Sequence, residues 1–437
     1  MHYPNINFKF LFINILVLLL PISFILGNLS INFCILLIIL FSLIFFRSEI
    51  FKVKLSKIDF FVIILFLYIL INGIYNNFFN FNFSLSVEPN QNIVLNKSLL
   101  YLRYLVLYFV LKYLVNSKII NLKLFFLIFG LFGAFVSLDL LIQFSFGKDL
   151  FGFEQTERRL SGPFGDEYIA GSYIQRFSIF LPFWLLIFSE IKNQNLKKSL
   201  FIFLLFFSLF SIFISGNRMP FLMFLLILGM IFIFVKDIRK FFTILLIIFS
   251  LSFFYIFTTN KNVNVHYRAL MIKGYEVISY LSDKISNNQL KPLANSHIKE
   301  FETGIQTWKQ NKLFGGGIKS FYPNCSNMDP YILKNFIGSC NSHPHNYYLQ
   351  IASELGIIGL LLIIYVFYLI VFNSLKKIYL SKNSSLLENR ILMPFLILFV
   401  AEIFPFKTSG SFVTTSNSTF LFIILSFVVG LSNYKHK

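Results

Sequence analysis

Apolar runs long enough to cross a bilayer follow one another along the chain, separated by short polar joints. They fall near 8–27, 30–46, 58–75, 97–115, 122–147, 169–189, 198–214, 219–235, 240–258, 349–372, 391–406 and 418–433. A membrane-spanning helix needs about 17–25 such residues, so the pattern predicts about twelve spans and an all-α, polytopic transmembrane helical bundle. The first run is too long, and too soon followed by a second, to read as a cleaved signal peptide. One long break divides the pattern into 1–258 with nine spans, 259–345 as a loop domain with short amphipathic helices, and 346–437 with three more spans. Within that loop Ile298, Phe301, Ile305 and Trp308 recur at helical spacing, which predicts an amphipathic helix on the membrane surface or against the bundle. A plain lid and a substrate-contacting element both fit it.

Composition agrees with this class. The 437 residues are 57% hydrophobic and only 13% charged, with a mean hydropathy of +0.73, which excludes a water-soluble globule. The net charge of +19 changes the picture only through its placement. Arg47, Lys52, Lys54 and Lys57 follow the second run; Lys112, Lys118 and Lys123 follow the fourth; Lys192, Lys197 and Lys198 follow the sixth. Lys236, Arg239 and Lys240 follow the eighth, and Lys376, Lys377, Lys382 and Arg390 the tenth. Basic loops stay in the cytoplasm, so both termini are expected inside and the 259–345 loop outside. The basic charge therefore gives no reason to invoke nucleic acid as a partner.

Charged residues inside apolar runs are costly, so their depth is informative. Arg103, Asp139, Arg176, Glu354 and Glu402 all map to the outer half of the membrane, and no comparable charge falls in the inner half. A transporter of a polar substrate is expected to line the full depth and to carry paired broken helices. An enzyme acting on a lipid-linked substrate in the outer leaflet needs polar groups at that level only. The distribution favours the enzyme.

Three external stretches carry candidate chemistry. The loop at 157–173 holds Arg158, Arg159, Asp166 and Glu167 among glycines, and is either a turn that gathers guanidinium groups or an ordinary solvated loop. In SGNRMP at 215–220, Arg218 stands beside the start of the next helix with Pro220 in its first turn. A helix N-terminus attracts anions and a guanidinium binds phosphate oxygens in pairs, so Arg218 marks an anion site unless it only snorkels to the interface. In HPHNYYLQIASELGIIGLL at 343–361, Pro344 is expected to begin a helix. His345 then shares a face with Tyr348, Leu349, Ala352, Gly356 and Gly359, while Glu354 points away. Small residues there admit a close helix or lipid chain, and a neutral histidine at the water boundary can accept a proton near pH 7. A purely structural histidine also fits. Cys34 reads as packing; Cys325 and Cys340 share the external loop, and whether they pair depends on the compartment. No motif implies a metal, nucleotide or other cofactor.

His345-Asn346, nine residues, then Gly-Ile-Ile-Gly at 356–359 resembles the hallmark of the O-antigen ligase and O-antigen polymerase superfamily of bacterial membrane glycan transferases. RLSGPFGD at 159–166, SGNR at 215–218 and LFGGGIKSF at 313–321 resemble its other motifs in order, so the resemblance runs from about 130 to 375. Two positions depart from the family pattern. His297 stands where an arginine often begins the surface helix, and Lys312 where a proline is usual; Arg268 is the expected substitute for the lost basic contact. The resemblance implies transfer of a glycan from undecaprenyl diphosphate to an acceptor hydroxyl, lipid A core, at the periplasmic face of the bacterial inner membrane, with membrane lipid around it and no cofactor. His345 would be the general base, Arg218 with Arg159 or Arg268 would neutralise the diphosphate, and Asn346, Arg176 and His297 would make further substrate contacts. The spacing favours a ligase. A polymerase and a protein O-oligosaccharyltransferase of the same superfamily remain alternatives, and a carrier-lipid transporter is the non-enzyme alternative.

Overall fold

The computed structural model describes residues 8–78, 93–156, 159–285, 296–328, 340–380, 386–408 and 410–432. Among these residues there is no β-strand beyond one isolated bridge, Lys148 to Glu154. The helices are α1 (Phe8–Leu18), α2 (Leu20–Leu26), α3 (Asn28–Ile50), α4 (Lys57–Phe78), α5 (Ile93–Tyr101), α6 (Arg103–Asn116) and α7 (Leu122–Phe146). They continue as α8 (Ala170–Phe177), α9 (Phe180–Phe188), α10 (Gln194–Ile214), α11 (Arg218–Phe234), α12 (Arg239–Thr259), α13 (Lys261–Ile285), α14 (Ser296–Gln310) and α15 (Phe321–Ser326). The chain closes with α16 (Tyr347–Leu380), α17 (Leu386–Glu402) and α18 (Thr415–Ser432).

The protein is an all-α polytopic membrane bundle, with ten helical stretches long and apolar enough to cross a membrane among the described residues. α11 and α17 fall at the eighth and eleventh predicted spans but are 17 residues each. α1 with α2, α5 with α6 and α8 with α9 each make one span in two pieces. α7 shows how such a break is accommodated. A Cβ on Gly130 would lie 2.2 Å from the Leu181 nitrogen, and one on Gly133 would lie 2.6 Å from the Ser178 nitrogen. Only glycine lets α7 lie directly on the joint between α8 and α9. Phe125, Phe180, Phe395 and Phe427 then cluster around this joint, with Phe125 edge-on to Phe180 at 5.4 Å between centroids and Phe395 stacked on Phe427 at 4.8 Å.

The structure corrects the expectation that charge is confined to one end of the spans. Asp59, in the first turn of α4, is buried and accepts from Lys112 Nζ at 2.5 Å, Tyr108 Oη at 2.5 Å and Ser56 Oγ at 2.6 Å. Lys112 belongs with the loop lysines by sequence, but α6 runs on to Asn116 and carries it into the bundle. A charge there is tolerated because it is paired and hydrogen-bonded.

Candidate active site

Successive spans alternate in direction, so the end of α7 and the starts of α8, α11, α16 and α18 gather at one end of the bundle. The turn between α10 and α11 is built from Ser215, Gly216 in the left-handed region at φ +73° and Asn217. Asn217 Nδ2 donates back to Ser215 Oγ at 2.9 Å, so its carboxamide does not cap α11, whose first turn holds Arg218 and Pro220. Polar side chains of α7 hold the neighbouring loop in place. Gln143 Oε1 accepts from the Gly162 nitrogen at 2.9 Å, and Asp139 Oδ1 accepts from the Leu150 nitrogen at 2.9 Å. The Leu160 nitrogen then donates to the Ser215 oxygen at 3.3 Å, which joins loop and turn.

This joint brings Arg159 and half-buried Arg218 within electrostatic reach of one another, with Tyr267 of α13 beside them. The Tyr267 hydroxyl donates to the Phe213 oxygen at 3.0 Å, and burial holds its phenol well above the ordinary range. Arg268, one residue on, is exposed. Arg158 lies outside the described residues, and so does the side chain of His297 at the start of α14.

The histidine loop differs from the expected helix start. Asn346 Oδ1 accepts from the nitrogens of Tyr348 at 3.0 Å and Leu349 at 3.1 Å, so Asn346 caps the helix and α16 begins at Tyr347 rather than at Pro344. Asn346 Nδ2 is also engaged, by the Pro405 oxygen at 2.7 Å. His345 stands just outside the helix in the left-handed region, at φ +51°. Its Nε2 is 3.6 Å from Glu300 Oε1 of α14, and Asn341 Nδ2 donates to that same oxygen at 3.0 Å. The His343 ring lies 4.3 Å from the His345 ring, and its Nδ1 meets Ser342 Oγ at 2.9 Å. Burial, with His345 and Lys319 nearby, lowers the His343 pKa to about 4 against the pull of Glu300. Cys325 and Cys340 form a disulfide that ties α15 to the start of this loop.

α14 forms over the predicted stretch, but the stripe that signalled it is not the face it buries. Ile298 is buried, whereas Phe301, Ile305 and Trp308 stay half-exposed, and Thr303, Gly304 and Thr307 turn inward. A Cβ on Gly304 would meet Pro344 Cβ at 3.1 Å and Leu349 Cβ at 3.2 Å, so α14 packs closely on the histidine loop and the first turn of α16.

α16 is broken at Gly356, which has φ +67°. The glycine loop 312–317 fills the break. Gly316 and Gly317 nitrogens donate to the oxygens of Ser353 at 3.2 Å and Glu354 at 2.6 Å, while the Ile357 nitrogen donates to the Lys312 oxygen at 2.9 Å. Tyr68 Oη and Asn72 Nδ2 of α4 close it from the other side, on the oxygens of Leu355 at 2.7 Å and Phe314 at 2.5 Å. The small residues of α16 therefore receive the chain's own loop at Gly356, and at Gly359 they sit against Tyr68 and Leu355, instead of an open groove. Glu354 is buried, accepting from Gln350 Nε2 at 3.0 Å and from the backbone of Lys319 and Phe321.

Beneath the histidine loop lies a buried ionic cluster. Arg176 Nη2 is 2.7 Å from Glu402 Oε1 and donates to Asn417 Oδ1 at 2.8 Å; Lys407 Nζ is 2.9 Å from Glu402 Oε2, and Tyr347 Oη donates to Glu402 Oε1 at 2.9 Å. Arg176 thus joins α8, α17 and α18, and its guanidinium is engaged by protein groups. Charge in hydrocarbon persists when paired in this way. Arg159, Arg218 and His345, which motifs mark in the sequence, lie at this end of the bundle. Glu300, Lys319, Lys407 and Tyr347, which no motif distinguishes from their charged or aromatic neighbours, stand among them only in the structure.

The bundle and its polar end define a multi-pass membrane protein with guanidinium groups, an imidazole and a carboxylate presented by short loops and helix starts. Residues 203–364, which contain Arg218, α14, the glycine loop and His345, match the family model described as O-antigen ligase. That family is one of glycan-transferring enzymes. No curated protein matches the chain.

Proposed function

We propose that this protein is an O-antigen ligase-type transferase, moving a glycan from an undecaprenyl diphosphate carrier to a hydroxyl of lipid A core at the periplasmic face of the inner membrane. In this reading both termini are cytoplasmic and 259–345 forms the periplasmic cap. His345 takes the proton of the acceptor hydroxyl on the ring nitrogen that does not face Glu300, and the acceptor oxygen bonds to the anomeric carbon. The carbon–oxygen bond to phosphate breaks, and its electron pair stays with the carrier diphosphate. Arg159 and Arg218 meet the negative charge that grows on that oxygen. The diphosphate ester itself supplies the driving force.

The observation that carries the reading is that Arg159 lies within electrostatic reach of half-buried Arg218 at a helix start, on the same end of the bundle as His345. Two guanidinium groups beside a helix start can meet the oxygens of a diphosphate together.

The test is a strain lacking the gene, complemented with wild type or His345→Ala and examined on a polysaccharide gel, with membrane insertion checked by immunoblot. A ligase predicts accumulation of unattached polymer in the deletion strain and in the inserted His345→Ala variant. A single attached repeat would instead assign a polymerase, and near-normal transfer by His345→Ala would remove His345 from the chemistry.

A further inference from the structure

We propose that Lys319 is a third cationic contact of the transfer site, meeting the phosphate oxygen from which the glycan departs. The inference rests on the transferase reading above and deepens it.

Lys319 lies two residues beyond the glycine loop that fills the break in α16, within electrostatic reach of both His343 and Glu354. It is half-buried, and its ammonium makes no ion pair among the described residues. Its backbone is in the left-handed region at φ +69°. Lys118, Lys319 and His345 are the three non-glycine residues with positive φ among those described, and two of them are at this site. A side chain other than glycine is strained there, and such strain persists only where the surroundings over-determine it.

The surroundings do so here. The Gly316 and Gly317 nitrogens are bonded to α16, the Ser320 nitrogen donates to the Gly317 oxygen at 3.1 Å, and buried Glu354 accepts from the backbone of Lys319 and Phe321. Glycine at 319 would fit this backbone without strain, so the fold does not call for lysine. The chemistry does. When the acceptor proton passes to His345 and the anomeric carbon–oxygen bond breaks, the released carrier diphosphate has one more negative charge than the donor. Arg159 and Arg218 meet the diphosphate, and Lys319, near His343, joins them at the oxygen where the new charge appears.

Lys319→Gly removes the ammonium while relieving the backbone. The expected result is a purified protein that melts at or above the wild-type temperature, transfers glycan at least about tenfold more slowly through kcat, and binds undecaprenyl diphosphate more weakly while undecaprenyl monophosphate binding is little changed. Lys319→Arg should recover most of the rate. Wild-type transfer by Lys319→Gly overturns the inference, as does lost transfer accompanied by a lowered melting temperature and no recovery in Lys319→Arg, which would make Lys319 a folding residue. His345→Ala is measured alongside. If it is inactive while Lys319→Gly is normal, the Lys319 inference alone fails; if both are normal, the transfer site itself is misassigned.

Discussion

His345 Nε2 stands 3.6 Å from Glu300 Oε1, across the contact between α14 and the loop that precedes α16. A carboxylate in this position orients an imidazole and stabilises the imidazolium that forms as it takes a proton. Asn341, bonded to the same oxygen, fixes the carboxylate in turn. Glu300→Gln keeps the shape and removes the charge. It is expected to slow transfer by about 10- to 100-fold, with most of the loss in kcat, and Glu300→Asp to recover part of it. Kinetics with a purified lipid-linked donor would show this, and an unchanged kcat in Glu300→Gln would mean that the contact is incidental.

Arg218→Lys preserves charge but not geometry. A planar guanidinium can hold two phosphate oxygens at once, whereas an ammonium is a single point charge. Transfer is expected to fall by about tenfold or more with little change in expression. Equal rates for the two side chains would identify Arg218 as a helix anchor only.

The Cys325–Cys340 disulfide closes a loop of sequence separation 15 immediately before the histidines. In the chain-entropy model such a link stabilises by about 3 kcal/mol. Cys325→Ser, or reductant applied to the wild type, is expected to lower the melting temperature and to reduce transfer, because the link also anchors the strand that carries His343 and His345. Reductant should have no further effect on Cys325→Ser, which separates the disulfide from general chemical damage.

His343 supplies a pH dependence. Its folded pKa, about 4, lies below its ordinary 6.5, because burial and then His345 and Lys319 disfavour the imidazolium. The unfolded chain therefore binds more protons than the folded one between these values. The contribution of neutral His343 is fully present above pH 6.5 and is lost as pH falls toward about 4. Melting temperatures measured at about pH 7 and about pH 5 should drop less for His343→Asn than for wild type; equal drops would show that other groups carry the acid sensitivity.

The membrane class and most span positions were legible because hydropathy reports on each residue independently. Arg218 and Arg159 were legible because SGNR and RLSGPFGD are local patterns, and the Leu160 to Ser215 hydrogen bond joins them as neighbours. Pairing was not legible. Lys112 looks like one more basic loop residue until α6 carries it to Asp59, and Arg176 looks like a free cation until Glu402 and Asn417 meet it. The run at 349–372 reads as one continuous apolar helix, and only tertiary contact with 312–317 gives Gly356 a reason for its left-handed backbone.

That contact has a consequence for how this part of the protein can be handled. The peptide groups freed where α16 is interrupted find their partners in the segment between α14 and α15, so the insert is keyed into the scaffold instead of resting on top of it. The segment from α14 to α15 is not a portable module. Grafted onto another bundle, it would arrive without its socket, and during biosynthesis it can reach its final shape only after the tenth span has been made.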